Sequence, residues 1–291
     1  MTIVILGAGG QLANDLCCSL PSDVVVPLDR KDLNISDQAR TADRLRSLRP
    51  SVVVNAAAYN RVDDAEVDID PAFDVNGFAL LSLSRVCQEL NCVLVHFSTD
   101  YVFGVSQTHA PWTESDLPAP LSVYGASKLC GEHFVRAYCE RHFILRTSGL
   151  FGLRRAGGAS NFVEAILRTA QRTKRLRVVN DQICAPTYTS DAAQITARLL
   201  QTQEYGTFHV ASSGQCSWYD FACEILRQTG TIADCEAITS AEYGAKARRP
   251  PYSVLSNDKL IACGISPAPA WQDALLRYLD RRRSARPDAL G

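Results

Sequence analysis

Five short apolar runs, at residues 3–6, 24–28, 52–55, 93–97 and 143–146, alternate with stretches of helical periodicity through the first half of the chain. Leu12, Leu16 and Leu20 recur at every fourth position, and Ala42, Leu45 and Leu48 form a second stripe. Pro71 opens a third, carrying Val75, Leu80, Leu83, Val86 and Leu90. Strands this continuously apolar must be covered on both faces, and helices returning the chain between them supply that cover. The expectation is an α/β fold with a doubly wound parallel sheet.

After Arg146 the rhythm loosens. A Gly-rich segment at Gly157-Gly158 precedes a helix at 161–167, and a strand at 178–179 with a helix at 191–200 is expected to rejoin the sheet. The rest holds an apolar run at 208–210, a helix at 217–228 and a Pro-rich stretch at 248–252. We therefore expect residues 1–148, with about 178–202, to form a dinucleotide-binding domain of Rossmann type. About 149–177 and 203–291 would form a smaller, discontinuous C-terminal substrate lobe.

The 291 residues carry 30 Lys+Arg against 31 Asp+Glu, a formal net charge of -1, which argues against nucleic acid or an anionic membrane as partner. The basic clusters at 168–177 and 281–283 read as a solvated helix face and a tail. With no basic leader and no apolar run near the ~20 residues of a membrane span, a cytoplasmic protein is expected. Eleven cysteines, scattered and without Cys-x-x-Cys, read as free thiols rather than a disulfide framework or a metal site.

Gly7-Ala-Gly9-Gly10-Gln-Leu-Ala13 follows the first strand and opens the first helix, where glycines let a pyrophosphate approach the backbone and the helix N-terminus. Asp29-Arg30 closes the second strand. A carboxylate there would hold an adenosine ribose and an arginine a 2′-phosphate, so NADPH and NADH both remain open. Asn34-Ile35 and Asn55-Ala-Ala-Ala58 place small or polar residues at further strand ends. Tyr124 and Lys128 lie four apart at the head of a helix and so share a face. A free phenol titrates near pH 10, about 1.36 kcal/mol per unit from neutrality, and Lys128 is the expected cation to bring it down. His96 and His209 read as core or strand-end residues.

Taken together, Gly7-x-x-Gly10-Gln11, Val53-Val-Asn-Ala-Ala-Ala58, Ser98-Thr-Asp-Tyr-Val-Phe103, Tyr124-Gly-x-x-Lys128, Arg146-Thr-Ser148, Asn161-Phe162, Asn180-Asp-Gln182, Pro186-Thr187, Ser217-Trp-Tyr219 and Arg248-Arg-Pro250 resemble the dTDP-4-dehydrorhamnose reductase family of extended short-chain dehydrogenases, essentially end to end. The resemblance implies NADPH- or NADH-dependent reduction of the 4-keto group of dTDP-4-dehydro-6-deoxy-L-mannose. Tyr124 would be the proton donor, Lys128 its polarising partner and Thr99 the hydroxyl that orients the carbonyl. The cofactor would lie against Gly7, Gly10, Gln11, Leu12, Asp29, Arg30, Asn34, Ile35, Ala56, Ala57, Ala58, Tyr124 and Lys128. Thr99, Tyr101, Tyr124, Gly149, Asn161 and Arg248 or Arg249 would face the nucleotide sugar. Trp218 and Tyr219 are expected to pack the lobe.

Three departures stand out. Gly149 replaces a tryptophan usual in the family beside the deoxysugar, which predicts a missing wall or one filled by Leu150 or Phe151. Asn34 replaces an acidic residue near the adenine. Asp15 partly matches one position of a metal site through which some relatives dimerise; the rest of that site is not matched convincingly, so no metal is expected, while a homodimer stays open. Two alternatives follow: reduction of a related nucleotide 4-keto-6-deoxysugar, or a non-catalytic NADP-binding subunit resembling the methionine adenosyltransferase beta subunit.

Overall fold

β1 (Ile3–Leu6) lies inside a six-stranded parallel sheet. β2 (Val25–Leu28) flanks it on one side. On the other, β3 (Val52–Asn55), β4 (Val93–Thr99), β5 (His142–Thr147) and a sixth strand, Gly206–His209, follow in that order. The computed structural model describes residues 2–106, 108–153 and 161–285, so the Gly157-Gly158 segment lies outside the described residues.

Every residue of β1, β3 and β4 is buried, which is why their sequences read as unbroken apolar runs. Successive side chains take opposite faces. Ile3 and Ile5 pack with Leu12 and Leu16 of α1 (Gln11–Ser19) and with Ile195 and Leu199 of the helix Thr189–Leu199. Val4 and Leu6 meet Leu45 of α2 (Gln38–Leu48) and Leu80 and Leu83 of the helix Ala79–Glu89. That last helix is entered through Asp70–Phe73 and a π-helical turn, Asp74–Phe78. Within the turn Asn76 donates to the Ser127 hydroxyl at 3.0 Å, tying it to the helix that carries Tyr124.

Two pieces fall differently from the sequence reading. The strand expected at 178–179 is the end of Arg175–Val179, and it pairs with Asp234–Ile238 in a separate two-stranded sheet. Its Arg175 and Arg177 are exposed while Leu176 and Val178 are buried. Such a one-faced strand cannot sit inside a sheet covered on both sides. Conversely, the run at 208–210, assigned to the lobe, begins within the sheet's sixth strand, where Phe208 packs 6.1 Å from Phe143. The helix expected at 191–200 does cover the sheet.

The lobe has its own core, in which Phe151, Val163, Phe221, Trp271 and Tyr278 are buried. Its helix Trp218–Thr229 starts with a capping box in which Ser217 and Asp220 satisfy each other's backbone amides. The final helix, Trp271–Ala285, is bound back to the sheet layer by Arg277 on Asp191 and Arg281 on Asp15.

Candidate active site

A cleft of about 1010 Å³ runs across the C-terminal ends of β1, β3, β4 and β5, where a parallel sheet presents strand ends and helix N-termini together. At one end is the glycine turn. Gly7 has φ +82°, and a Cβ there would stand 2.7 Å from the Ala57 amide nitrogen, so the approach of the two loops requires glycine. Gly10 is the N-cap of α1 and no side chain caps that helix. Its first amides therefore face the cleft as an uncapped, partly positive end suited to an anion. Gln11, Leu12, Arg30, Asn34, Ile35, Ala56, Ala57 and Ala58 line the same region.

At the other end, the Ser122 hydroxyl accepts from the Gly125 amide and starts the helix Val123–Tyr138, placing Tyr124 in its first turn. Tyr124, Lys128, Thr99, Tyr101 and Gly149 all line the cleft. The Tyr101 and Tyr124 rings meet edge to face at 6.0 Å. Thr99 is polarised from below: its hydroxyl donates to the buried Asp100 carboxylate at 3.0 Å and accepts from the Tyr101 amide at 3.1 Å. Asp100 also accepts from Ser148 at 2.8 Å, and burial raises its carboxyl to about 6.

The relation of Lys128 to Tyr124 differs from the expectation. Burial pushes the phenol up to about 12, with the Thr99 hydroxyl opposing. Lys128 is 2% exposed and turns inward, donating to the Phe97 carbonyl at 2.6 Å, and burial lowers it to about 8. Tyr124 is thus a firmly protonated phenol in the resting site, the form a proton donor needs.

Four expected residues do not line the cleft. The Asp29 carboxylate accepts from the amides of Lys31 and Asp32, closing its own turn. Asn161 caps the helix Phe162–Thr173 and donates to the Gly152 carbonyl, while its neighbour Phe162 reaches the cleft. Arg249 is committed to Asp63 at 2.8 Å, and Arg248 is exposed. Asp15 is held by Thr189 and Arg281, and among the described residues no group of three His, Cys, Asp or Glu could hold a metal. No described helix is long and apolar enough to cross a membrane.

The missing wall beside Gly149 is present, from a place the sequence did not suggest. Trp218 lines the cleft beside Phe162, their rings 4.6 Å apart, and its Cη2 would stand 3.0 Å from a Cβ on Gly149. Gly149 itself has φ +50°. Neither expected filler explains the space alone: Leu150 lines the cleft, and Phe151 is buried in the lobe core. The sequence signal was Ser217-Trp-Tyr219, which reads as a helix start; only the docking of that helix shows which way its first residue points.

Comparison with known proteins adds to this geometry. Residues 1–284 match the family described as RmlD substrate binding domain. The chain is 39% identical over 285 residues to the spore coat polysaccharide biosynthesis protein SpsK of Bacillus subtilis, covering 97% of this chain and 98% of the relative. It is 33% identical over 296 residues to the dTDP-4-dehydrorhamnose reductase of Escherichia coli, covering 96% and 97%. It superimposes on the crystal structure of dTDP-4-dehydrorhamnose reductase from Bacillus anthracis, solved in complex with NADP, with a TM-score of 0.91 at 33% identity, covering 97% of this chain and all of that one.

Proposed function

This chain belongs to the RmlD substrate binding domain family, that of the dTDP-4-dehydrorhamnose reductases, and on that premise we propose that it reduces the 4-keto group of dTDP-4-dehydro-6-deoxy-L-mannose to give dTDP-L-rhamnose. It is a nicotinamide-dependent reductase. The observation that carries the reductase reading is the meeting of Thr99, Tyr124 and Lys128 in one cleft with the Gly7–Gly10 turn, and the substrate reading rests on the named relatives.

The close Gly7–Ala57 approach and the uncapped α1 fit a dinucleotide whose pyrophosphate lies at Gly10, Gln11 and Leu12. Arg30, which lines this end of the cleft, would meet a 2′-phosphate, with Asn34 and Ile35 beside the adenine. When bound, the cofactor supplies the hydride that adds to the carbonyl carbon. Tyr124 gives its proton to the carbonyl oxygen, so the ketone becomes an alcohol. Thr99, which lines the cleft beside Tyr124 and is held by Asp100, would orient the carbonyl. Lys128, one turn along the same helix face, would hold the cofactor beside the Tyr124 hydroxyl. A positioned acid of this kind is worth about 10²–10⁴-fold.

A second reading, reduction of a different nucleotide 4-keto-6-deoxysugar, is favoured by the wall beside the reacting groups, which Trp218 and Phe162 build around Gly149. The test is to follow oxidation of NADPH and of NADH with a panel of dTDP-4-ketosugars. Turnover of the L-rhamnose precursor above the others supports the first reading, and a different ranking supports the second. No turnover with any of them removes both and leaves a dinucleotide-binding subunit.

A further inference from the structure

The side chain of His96 is buried in β4, and what surrounds it determines where its proton sits. Asn55, at the end of β3, accepts the Ala57 amide on its Oδ1 at 3.2 Å, which fixes the orientation of the carboxamide. Its Nδ2 therefore faces His96 Nδ1, at 3.2 Å, as a donor. Burial holds the imidazole neutral, so with Nδ1 accepting, the ring's single proton must be on Nε2. Nε2 lies 3.4 Å from the Lys128 nitrogen.

An N–H directed at an ammonium is unfavourable, whereas directed at an amine it is a hydrogen bond. We propose that His96 is a positioning residue that favours the amine form of Lys128, through a tautomer dictated by Asn55 and the Ala57 amide. The inference rests on the reductase reading above. It joins two parts of the site that are distant in sequence, because the loop Ala56–Ala58 that lines the cofactor end anchors the residue orienting His96.

The other groups facing Lys128 leave this contact room to act. Glu132, one turn further along the same helix, draws Lys128 towards its charged form and so opposes the contact, while its oxygens are taken by a buried bidentate pair with Arg146 of β5, at 2.9 and 2.8 Å, and by Arg136. Asp100, after β4, is engaged by Thr99 and Ser148. The phenol of Tyr124 is neutral. The Phe97 carbonyl accepts from Lys128 in either protonation state.

The test is the pH dependence of NADPH affinity and of kcat/KM in wild type, His96→Gln and Asn55→Leu. In His96→Gln a carboxamide oxygen can face the lysine. In Asn55→Leu nothing holds the proton away from Nδ1, and Nε2 can become an acceptor without any charge being added. Both variants should move the limb belonging to Lys128 about one unit to higher pH. Folded variants, judged by unchanged circular dichroism, whose limb stays put or moves to lower pH would overturn the proposal. If one does not fold, the other decides by the same readout. A wild type that binds NADPH but reduces no ketosugar would defeat the reductase reading, while the NADPH affinity profile would still decide the role of His96.

Discussion

The two ends of the cleft are built on opposite terms. At the reacting end Thr99 is 6% exposed and Lys128 2%, and neither Asp100 nor Tyr124 titrates near its ordinary value. At the adenine end Arg30 is exposed and Asp29 is occupied with its own turn. Where water is excluded, the protein sets protonation and each lost contact leaves a group unsatisfied. Where water remains, a side chain can be replaced at small cost. On the proposed reading, chemistry is concentrated at one end and cofactor choice at the other.

That contrast orders the expected effects. Tyr124→Phe should lower kcat by about 10²–10⁴-fold while leaving NADPH affinity nearly intact, measured by steady-state kinetics and cofactor titration. Retention of more than about a tenth of kcat, with chemistry rate-limiting, would remove Tyr124 as the donor.

The next effect is on stability. Lys128 is lowered in the fold from 10.5 to about 8, so the unfolded chain binds more protons between those values, and the native state gains relative stability as pH rises through them. The cost of burying the ammonium is full below pH 8 and gone above 10.5. Denaturant unfolding of Lys128→Met and wild type should show their difference shifting in favour of wild type by up to about 3 kcal/mol across that window. A constant difference would mean that Lys128 is not held apart from water as described.

Gly149→Trp sharpens the comparison from the substrate side. With φ +50° and Trp218 already in place, the added ring should overpack the wall, at about 1–3 kcal/mol, read as a lower Tm. Trp218→Ala should instead preserve NADPH binding and alter the ranking of ketosugars by kcat/KM. An unchanged ranking would take Trp218 out of the sugar pocket.

The smallest effect is expected at the open end. Arg30→Ala should raise KM for NADPH more than for NADH, within about tenfold. A loss as large as that of Tyr124→Phe would break the contrast between the two ends.

Much of this was legible beforehand because it depends on local pattern. β1 and β3 fall where the apolar runs place them, and the Gly7–Gly10 turn and the Tyr124–Lys128 spacing bring their residues into one cleft. The strand Arg175–Val179 was harder to place, since a short run of β-formers does not name its partner. The same difficulty hid the sixth strand, whose Gly206 and Thr207 are only half-buried at the sheet edge. His96 read as core, and it is. That its ring reaches Lys128 depends on β3 lying beside β4 and on one helix crossing above them.

Periodicity and spacing by themselves determined the parallel sheet, the glycine turn and the placing of Tyr124 and Lys128 on one helix face, because those follow from residues within one turn or one strand of each other. The tertiary structure alone decided three things: that Trp218 closes the space beside Gly149, that Arg249 is spent on Asp63, and that Lys128 faces an imidazole and a carbonyl rather than the Tyr124 hydroxyl. Each is a contact between segments far apart in the chain. Which side chain wins such a contact is set by how separately formed elements pack and by which polar groups are left needing a partner, and no local pattern encodes either.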